Sequence, residues 1–161
     1  MQSKLTLTGA IAALTLLAGC GGSTGGSTAG TTPTPAPAPA ATGATIAVAT
    51  NTKLGQILVD GSGKTVYLFV ADKGTTSACY TSCATIWPPV LTTGAPQAGT
   101  GAQASLLGTT ARTDGTTEVT YAGHPLYYFI QDKAAGDAKG QGINGFGGLW
   151  WVVSPAGAAM H

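Results

Sequence analysis

The chain has 161 residues, a formal net charge of +1 and only 8% charged residues. A charge so sparse and so balanced leaves no basic patch, so nucleic acid is not expected as a partner. Once the N-terminal segments are set aside, what remains is enough for one buried core and too little for two domains.

In chain order, "MQSKLTLTGAIAALTLLAGC" comes first. One cation at Lys4, an apolar run and a small-residue end at Cys20 have the layout of an export signal, and the run is too short to span a membrane comfortably. Residues 1–19 are therefore read as a signal peptide. Leu17, Ala18, Gly19 and Cys20 resemble the lipobox of bacterial lipoproteins, which implies that Cys20 receives a diacylglycerol thioether and becomes the mature N-terminus. Gly21 follows in place of an aspartate, which would have resembled an inner-membrane retention signal; the outer membrane is favoured where the organism has one. Residues 20–44, Gly/Ser/Thr-rich and then alternating Pro and Ala, lack the apolar side chains that offset ordering entropy. They read as a tether, flexible first and then an extended spacer rising about 3.1 Å per residue.

From residue 45 to 156 the pattern is β. "TIAVAT" and "GQILVD" alternate as strands, "DGSG" is a turn, and "KTVYLFVAD" completes a hairpin. One helical turn is expected in "TSACYTSCATIW", ended by Pro88 and Pro89. "TDGT" and "YAGHP" mark further turns, and "LWWVVSP" is the closing strand. Residues 157–161 are left as a tail.

The pattern repeats. Val59–Lys73 aligns without a gap on Val119–Lys133, placing Tyr67, Phe69 and Asp72 on Tyr127, Phe129 and Asp132. A tryptophan follows in each half, Trp87 and Trp150. The expected fold is a single small antiparallel all-β domain of two pseudo-repeated three-stranded units, 54–90 and 114–155, each burying the other's apolar face. Along each motif strand both faces are apolar: Val66, Leu68 and Val70 oppose Tyr67 and Phe69, as Leu126, Tyr128 and Ile130 oppose Tyr127 and Phe129, so both strands are expected to be covered on each side. Asp72 ends its strand five positions from Tyr67, off the tyrosine's face, and is read as an acceptor of backbone N–H groups in the turn. A proton-coupled or ligand-binding Tyr–Asp pair is the functional alternative.

"LGQILVDGSGKTVYLFVADK", "CYTSCATIWPPV", "RTDGTTEVTYAGHPLYYFIQDK", "GDAKGQG" and "LWWVVSP" together resemble a family of bacterial lipoproteins with a repeated Y-x-[F/W/Y]-x-x-D motif. That family is also described as a secreted repeat of unknown function. The resemblance covers nearly the whole domain and implies no reaction.

Three chemistries remain to be weighed. Cys79 and Cys83 are close in sequence, and two nearby thiols in an exported protein are expected to form a disulfide worth roughly 2 kcal/mol by the loop-entropy relation, less any strain. Alternatively, C-x-x-x-C with His124 resembles the ligand layout of thioredoxin-like copper chaperones, which would make this a periplasmic copper-binding or thiol redox protein. The βαβ context of those proteins is missing, and His124 reads equally as a turn residue bonded to the backbone. "GQGING" matches G-x-G-x-x-G without the strand and helix that a dinucleotide site needs, and reads as a glycine-rich loop. Tyr80, Trp87, Tyr121, Trp150 and Trp151 could line a sugar or peptide surface, but Trp87 and Trp150 are expected in the core, with Trp151 on the opposite face. The expectation is a lipid-anchored envelope protein with a binding or structural domain, no catalytic residues and no cofactor. Its partners would be the membrane through its lipid, and envelope proteins or a small ligand.

Overall fold

Two alternating stretches open the domain in the computed structural model, which describes residues 43–161. The signal segment, Cys20 and nearly all of the tether lie outside the described residues. β1 (Thr45–Asn51) and β2 (Gly55–Asp60) form an antiparallel hairpin, with Ile46 opposite Asp60 and Asn51 opposite Gly55. Asp60 ends β2 and organises the next turn, its Oδ1 accepting the N–H groups of Ser62 and Lys64 at 2.8 and 2.9 Å. β3 (Tyr67–Phe69) follows, then the helical turn α1 (Ser82–Ile86), whose last bond is Trp87 N–H to Cys83 O at 2.8 Å. Pro88 and Pro89 cannot extend it, since proline has no N–H to donate.

The remaining elements are β4 (Gln97–Ala98), a 3-10 turn at Ala104–Leu106, β5 (Leu107–Ala111), β6 (Thr117–Tyr121), β7 (His124–Pro125), β8 (Asn144–Gly145) and β9 (Gly148–Val152). They form three small sheets, in the orders β2-β1-β4, β3-β9-β8 and β5-β6-β7. The fold is all-β with two pseudo-repeated units, as the sequence suggests. It is not wholly antiparallel, because β4 joins β1 in parallel.

The units meet back to back. Tyr67 N–H donates to Tyr127 O at 2.9 Å, and Tyr127 N–H returns the bond to Tyr67 O at 3.0 Å. This reciprocal pair marks a local two-fold axis. Around it, Leu58 N–H reaches Val153 O and Val119 N–H reaches Val90 O, both at 2.8 Å. Those bonds correct the gapless alignment: Leu58 is equivalent to Val119, not to residue 118. The first unit turns through three residues, Gly61–Gly63, and the second through two, Ala122 and Gly123, with φ of 50° and 83°. Positive φ at both positions is the signature of the tight hairpin turn whose twist matches the strands.

β3 divides two cores. Tyr67 and Phe69 enter an aromatic cluster with Trp87, Tyr127, Phe129 and Trp150, while Val66 and Leu68 join an aliphatic one with Ile46, Leu58, Val90, Val119 and Leu126. The expectation that motif strands are covered on both faces therefore holds as far as Phe69, and fails beyond it. Val70 and Ile130 are 55% and 41% exposed, because the chain has already turned: Asp72 N–H closes on Phe69 O and Asp132 N–H on Phe129 O, each at 3.1 Å. The second motif is also not a regular strand. Tyr127 makes isolated bridges to Tyr67 and Pro89, and Pro89 has no N–H with which to extend the ladder. Residues 157–161 are not a free tail, since Met160 N–H donates to Val152 O at 3.0 Å and His161 sits edge-on to Trp151.

Truncating Trp150, fully buried and stacked on two rings, removes far more contact than truncating partly buried Trp151. In denaturant unfolding, Trp150→Ala is expected to cost about 3–5 kcal/mol. Trp151→Ala is expected to cost about 1 kcal/mol.

Candidate functional site

The motif residues converge, but across the repeats. Tyr67 OH donates to Asp132 Oδ2 at 2.6 Å, and Tyr127 OH donates to Asp72 Oδ2 at 2.9 Å. Strand parity does keep Tyr67 away from its own Asp72; the axis hands each tyrosine the other motif's aspartate. Asp72 also fills the role expected of it, accepting Ala78 N–H at 2.7 Å, as Asp132 accepts Lys139 N–H at 3.0 Å. The rings follow the same exchange. Phe69 stacks on Trp150, Trp150 on Trp87 and Trp87 on Phe129, with centroids 4.0, 4.0 and 4.4 Å apart. Tyr67 and Tyr127 meet Trp87 and Trp150 edge-on at 5.3 and 5.1 Å.

The two halves are not equal chemically. Where the first unit buries Ile57, the second buries Glu118, and where the first has Asn51, the second has Arg112, as the registers Ala49–Ile57 and Thr110–Glu118 show. These are the chain's single arginine and single glutamate. Arg112 Nη1 donates to Glu118 Oε2 and to Ser77 Oγ, and Nη2 donates to Cys79 O, all at 2.8 Å. Its guanidinium lies over the Tyr80 ring at 4.4 Å. Ser77 in turn bonds Tyr127 OH at 2.7 Å, so one directed chain runs Arg112, Ser77, Tyr127, Asp72. Glu118 Oε1 is buried with no hydrogen-bond partner.

Burial dominates the acidities. It raises Glu118 to about 7 against the favourable bond from Arg112, and Asp72 to about 6 against those from Ala78 and Tyr127. Burial followed by the neighbouring carboxylates pushes Tyr67 and Tyr127 well above the usual phenol range. The tyrosines are thus fixed as neutral donors, and both oxygens of Asp72 are taken. Neither supplies a nucleophile or a free base.

A disulfide joins Cys79 and Cys83, with Cα atoms 5.2 Å apart. It ties the loop whose Ser77 and Cys79 carbonyl hold Arg112 to α1. His124 is not brought to it: among the described residues, no three His, Cys, Asp or Glu side chains converge as metal ligands. His124 instead lines a groove of about 370 Å³ with Val70, Asp72, Trp151 and His161. Of the aromatics, Tyr80 covers Arg112 and Tyr121 OH donates to Pro155 O, so they form no common surface with the buried tryptophans. In "GQGING", Gly140 lies flat on the core; a Cβ there would come within 2.7 Å of Trp87 and 2.9 Å of Tyr67. Its glycine serves ring packing.

Arg112, Glu118 and Ser77 did not stand out in sequence. The available signal was a lone Arg and a lone Glu flanking the tight turn "TDGT", where a hairpin brings them to opposing strands.

The fold and the site define a class: an all-β repeat domain whose two halves exchange their motif side chains. The model of the family described as a secreted repeat of unknown function matches residues 48–91 and 108–154, and the chain belongs to that family. No curated protein and no solved structure matches. Among the described residues no helix is long and apolar enough to cross a membrane.

Two predictions follow from the exchange and from the buried acid. In double-mutant cycles, Tyr67→Phe with Asp132→Asn should show coupling of about 1 kcal/mol, whereas Tyr67→Phe with Asp72→Asn should be additive within about 0.5 kcal/mol. Glu118 and Asp72 have folded-state pKa values above their ordinary ones, so the folded state holds these protons more tightly than the unfolded chain does. Their contribution is present below the ordinary carboxylate range and is lost as pH rises through about 6 and about 7. Melting temperature should therefore rise as pH falls from 8 to about 5. Glu118→Gln should flatten most of that slope.

Proposed function

We propose that this chain is a lipid-anchored protein of the cell envelope whose domain is a binding or structural module, not a catalyst. The observation that supports it most is where the motif side chains go. Tyr67, Phe69, Asp72, Trp87 and their counterparts Tyr127, Phe129, Asp132 and Trp150 are directed at one another across the units. Committing oxygens and rings to such contacts builds a rigid body and leaves its outer surface to meet a partner. The family's description as secreted repeats fits export. The lipobox-like ending at Cys20, followed by a Pro/Ala spacer, supports anchoring with the domain held off the membrane, and Gly21 favours the outer membrane where there is one.

Metabolic labelling with palmitate and fractionation test the anchor. The wild-type chain should be labelled and sediment with membranes, and Cys20→Ser should lose the label and appear in the soluble exported fraction. Label that persists in Cys20→Ser would count against anchoring. Tight copper binding by the reduced protein, seen by absorbance and EPR, would count against a module without a cofactor.

A further inference from the structure

We propose that the outer edge of β5 is a docking site for an extended strand supplied by another polypeptide, added parallel to β5. The local two-fold axis makes this legible, because the equivalent edge in the first unit is already occupied.

On β1 the groups pointing away from β2 belong to Ala44, Ile46 and Val48. A segment from Gln97 to Thr100 satisfies them: Gln97 N–H donates to Ala44 O, Gly99 N–H to Ile46 O, and Val48 N–H to Thr100 O, at 2.9, 2.7 and 2.8 Å. That segment runs parallel to β1. On β5, Gly108 and Thr110 face β6, as the flanking bonds Ala122 N–H to Leu106 O and Arg112 N–H to Thr116 O fix the parity. Leu107, Thr109 and Ala111 therefore turn away from β6. The Leu107 N–H is taken by Ala104 O at the end of the 3-10 turn, but among the described residues the Leu107 C=O and the N–H and C=O groups of Thr109 and Ala111 have no partner. Thr109 and Ala111 are exposed.

The reason the edge is bare lies in the second unit's own chain. After Val90 the first unit runs on to cover β1. After the equivalent Val153 the chain instead reverses at Gly157, φ +85°, with Ser154 N–H on Ala158 O and Met160 N–H on Val152 O. That stretch is used on β9 and cannot also reach β5. Nor is the edge protected: "LGTTA" has no lysine, no proline and no bulge, the devices by which sheet edges usually avoid pairing. A run of open donors and acceptors of this kind is what strand addition uses for affinity.

The cover on β1 also describes the ligand. A Cβ on Gly101 would meet Val48 Cβ at 2.9 Å, and Thr109 takes Val48's place in β5. The incoming strand must therefore be small beside Thr109. Gln97–Thr100 is uncharged throughout, and so is β5, which favours an uncharged Gly/Ala/Thr-rich strand over a charged one. A second copy pairing β5 with β5 about a two-fold would be antiparallel, unlike the arrangement seen on β1. This inference rests on reading the domain as a binding module; the two fail separately, since anchoring and copper titration decide that reading without reference to β5.

The test uses a capped peptide copying Gly94–Ala102, the chain's own edge cover, titrated into the full-length protein lacking only its lipid and followed by amide NMR and hydrogen exchange. Saturable shifts centred on Leu107, Thr109 and Ala111, with slowed exchange of the Thr109 and Ala111 amides, are expected. Thr109→Pro removes an outward N–H and should weaken binding at least tenfold. A peptide with valine in place of Gly101 should fail likewise against the unaltered protein. Absence of shifts at β5, equal binding by the valine peptide, or concentration-dependent protection of β5 without peptide would each overturn the proposal, the last by assigning the edge to a second copy.

Discussion

Two backbone hydrogen bonds, between Tyr67 and Tyr127 in both directions, set the geometry on which the rest depends. A narrow antiparallel pair of this kind lies on a two-fold axis, and it carries each tyrosine's hydroxyl and the phenylalanine two residues on to the other unit, while each tyrosine ring stays edge-on to its own unit's tryptophan. Each phenol then reaches the other unit's aspartate, and each phenylalanine stacks on the other unit's tryptophan. Neither unit holds a complete core. The four-ring stack Phe69, Trp150, Trp87, Phe129 alternates between units, so its burial is gained only when both are present. Stacked and edge-on pairs contribute about 0.5–1.5 kcal/mol each beyond their area, a large share of the marginal stability of a small domain.

Symmetry in the backbone makes the departures from it informative. The aliphatic core is nearly symmetric, with Leu58 and Val66 answered by Val119 and Leu126. The aromatic core is not, because Glu118 sits where Ile57 would be and draws Arg112, Ser77 and the disulfide loop around it. A buried pair of this kind is poor evidence for stability, since removing its charges from water costs about as much as their attraction returns. Its effect here is specificity: it holds the Ser77–Cys83 loop over one unit only. The second departure is at the edges, where β1 has its cover and β5 does not.

Much of this was legible in the sequence. Period-two runs gave the strands of both hairpins, the proline pair ended α1, and the tendency of large aromatics to fill a β core placed Trp87 and Trp150 inside, with Trp151 set on the opposite face by parity. The sixty-residue recurrence of the motif gave the two units. What escaped were features that depend on the axis. Nothing local to "YLFVAD" says that its tyrosine meets the aspartate of "YYFIQD", because the partner is fixed by how the units dock. The one-residue difference between the Gly61–Gly63 and Ala122–Gly123 turns was hidden by matching glycines. Val70 and Ile130 were placed inside because alternation does not show where a strand stops. Spacing likewise says nothing of where His124 lies: Cys79 and Cys83 are close and joined, while His124 belongs to a turn that faces the groove by Trp151.

The central claim is that each unit lacks a core without the other. Residues 43–103 and 104–161, produced separately, test it most directly by near-ultraviolet circular dichroism, which reports fixed tryptophan packing. Each fragment alone should be featureless, and mixing them in equal amounts should restore the spectrum of the intact chain. A fixed near-ultraviolet spectrum from either fragment by itself would contradict the account.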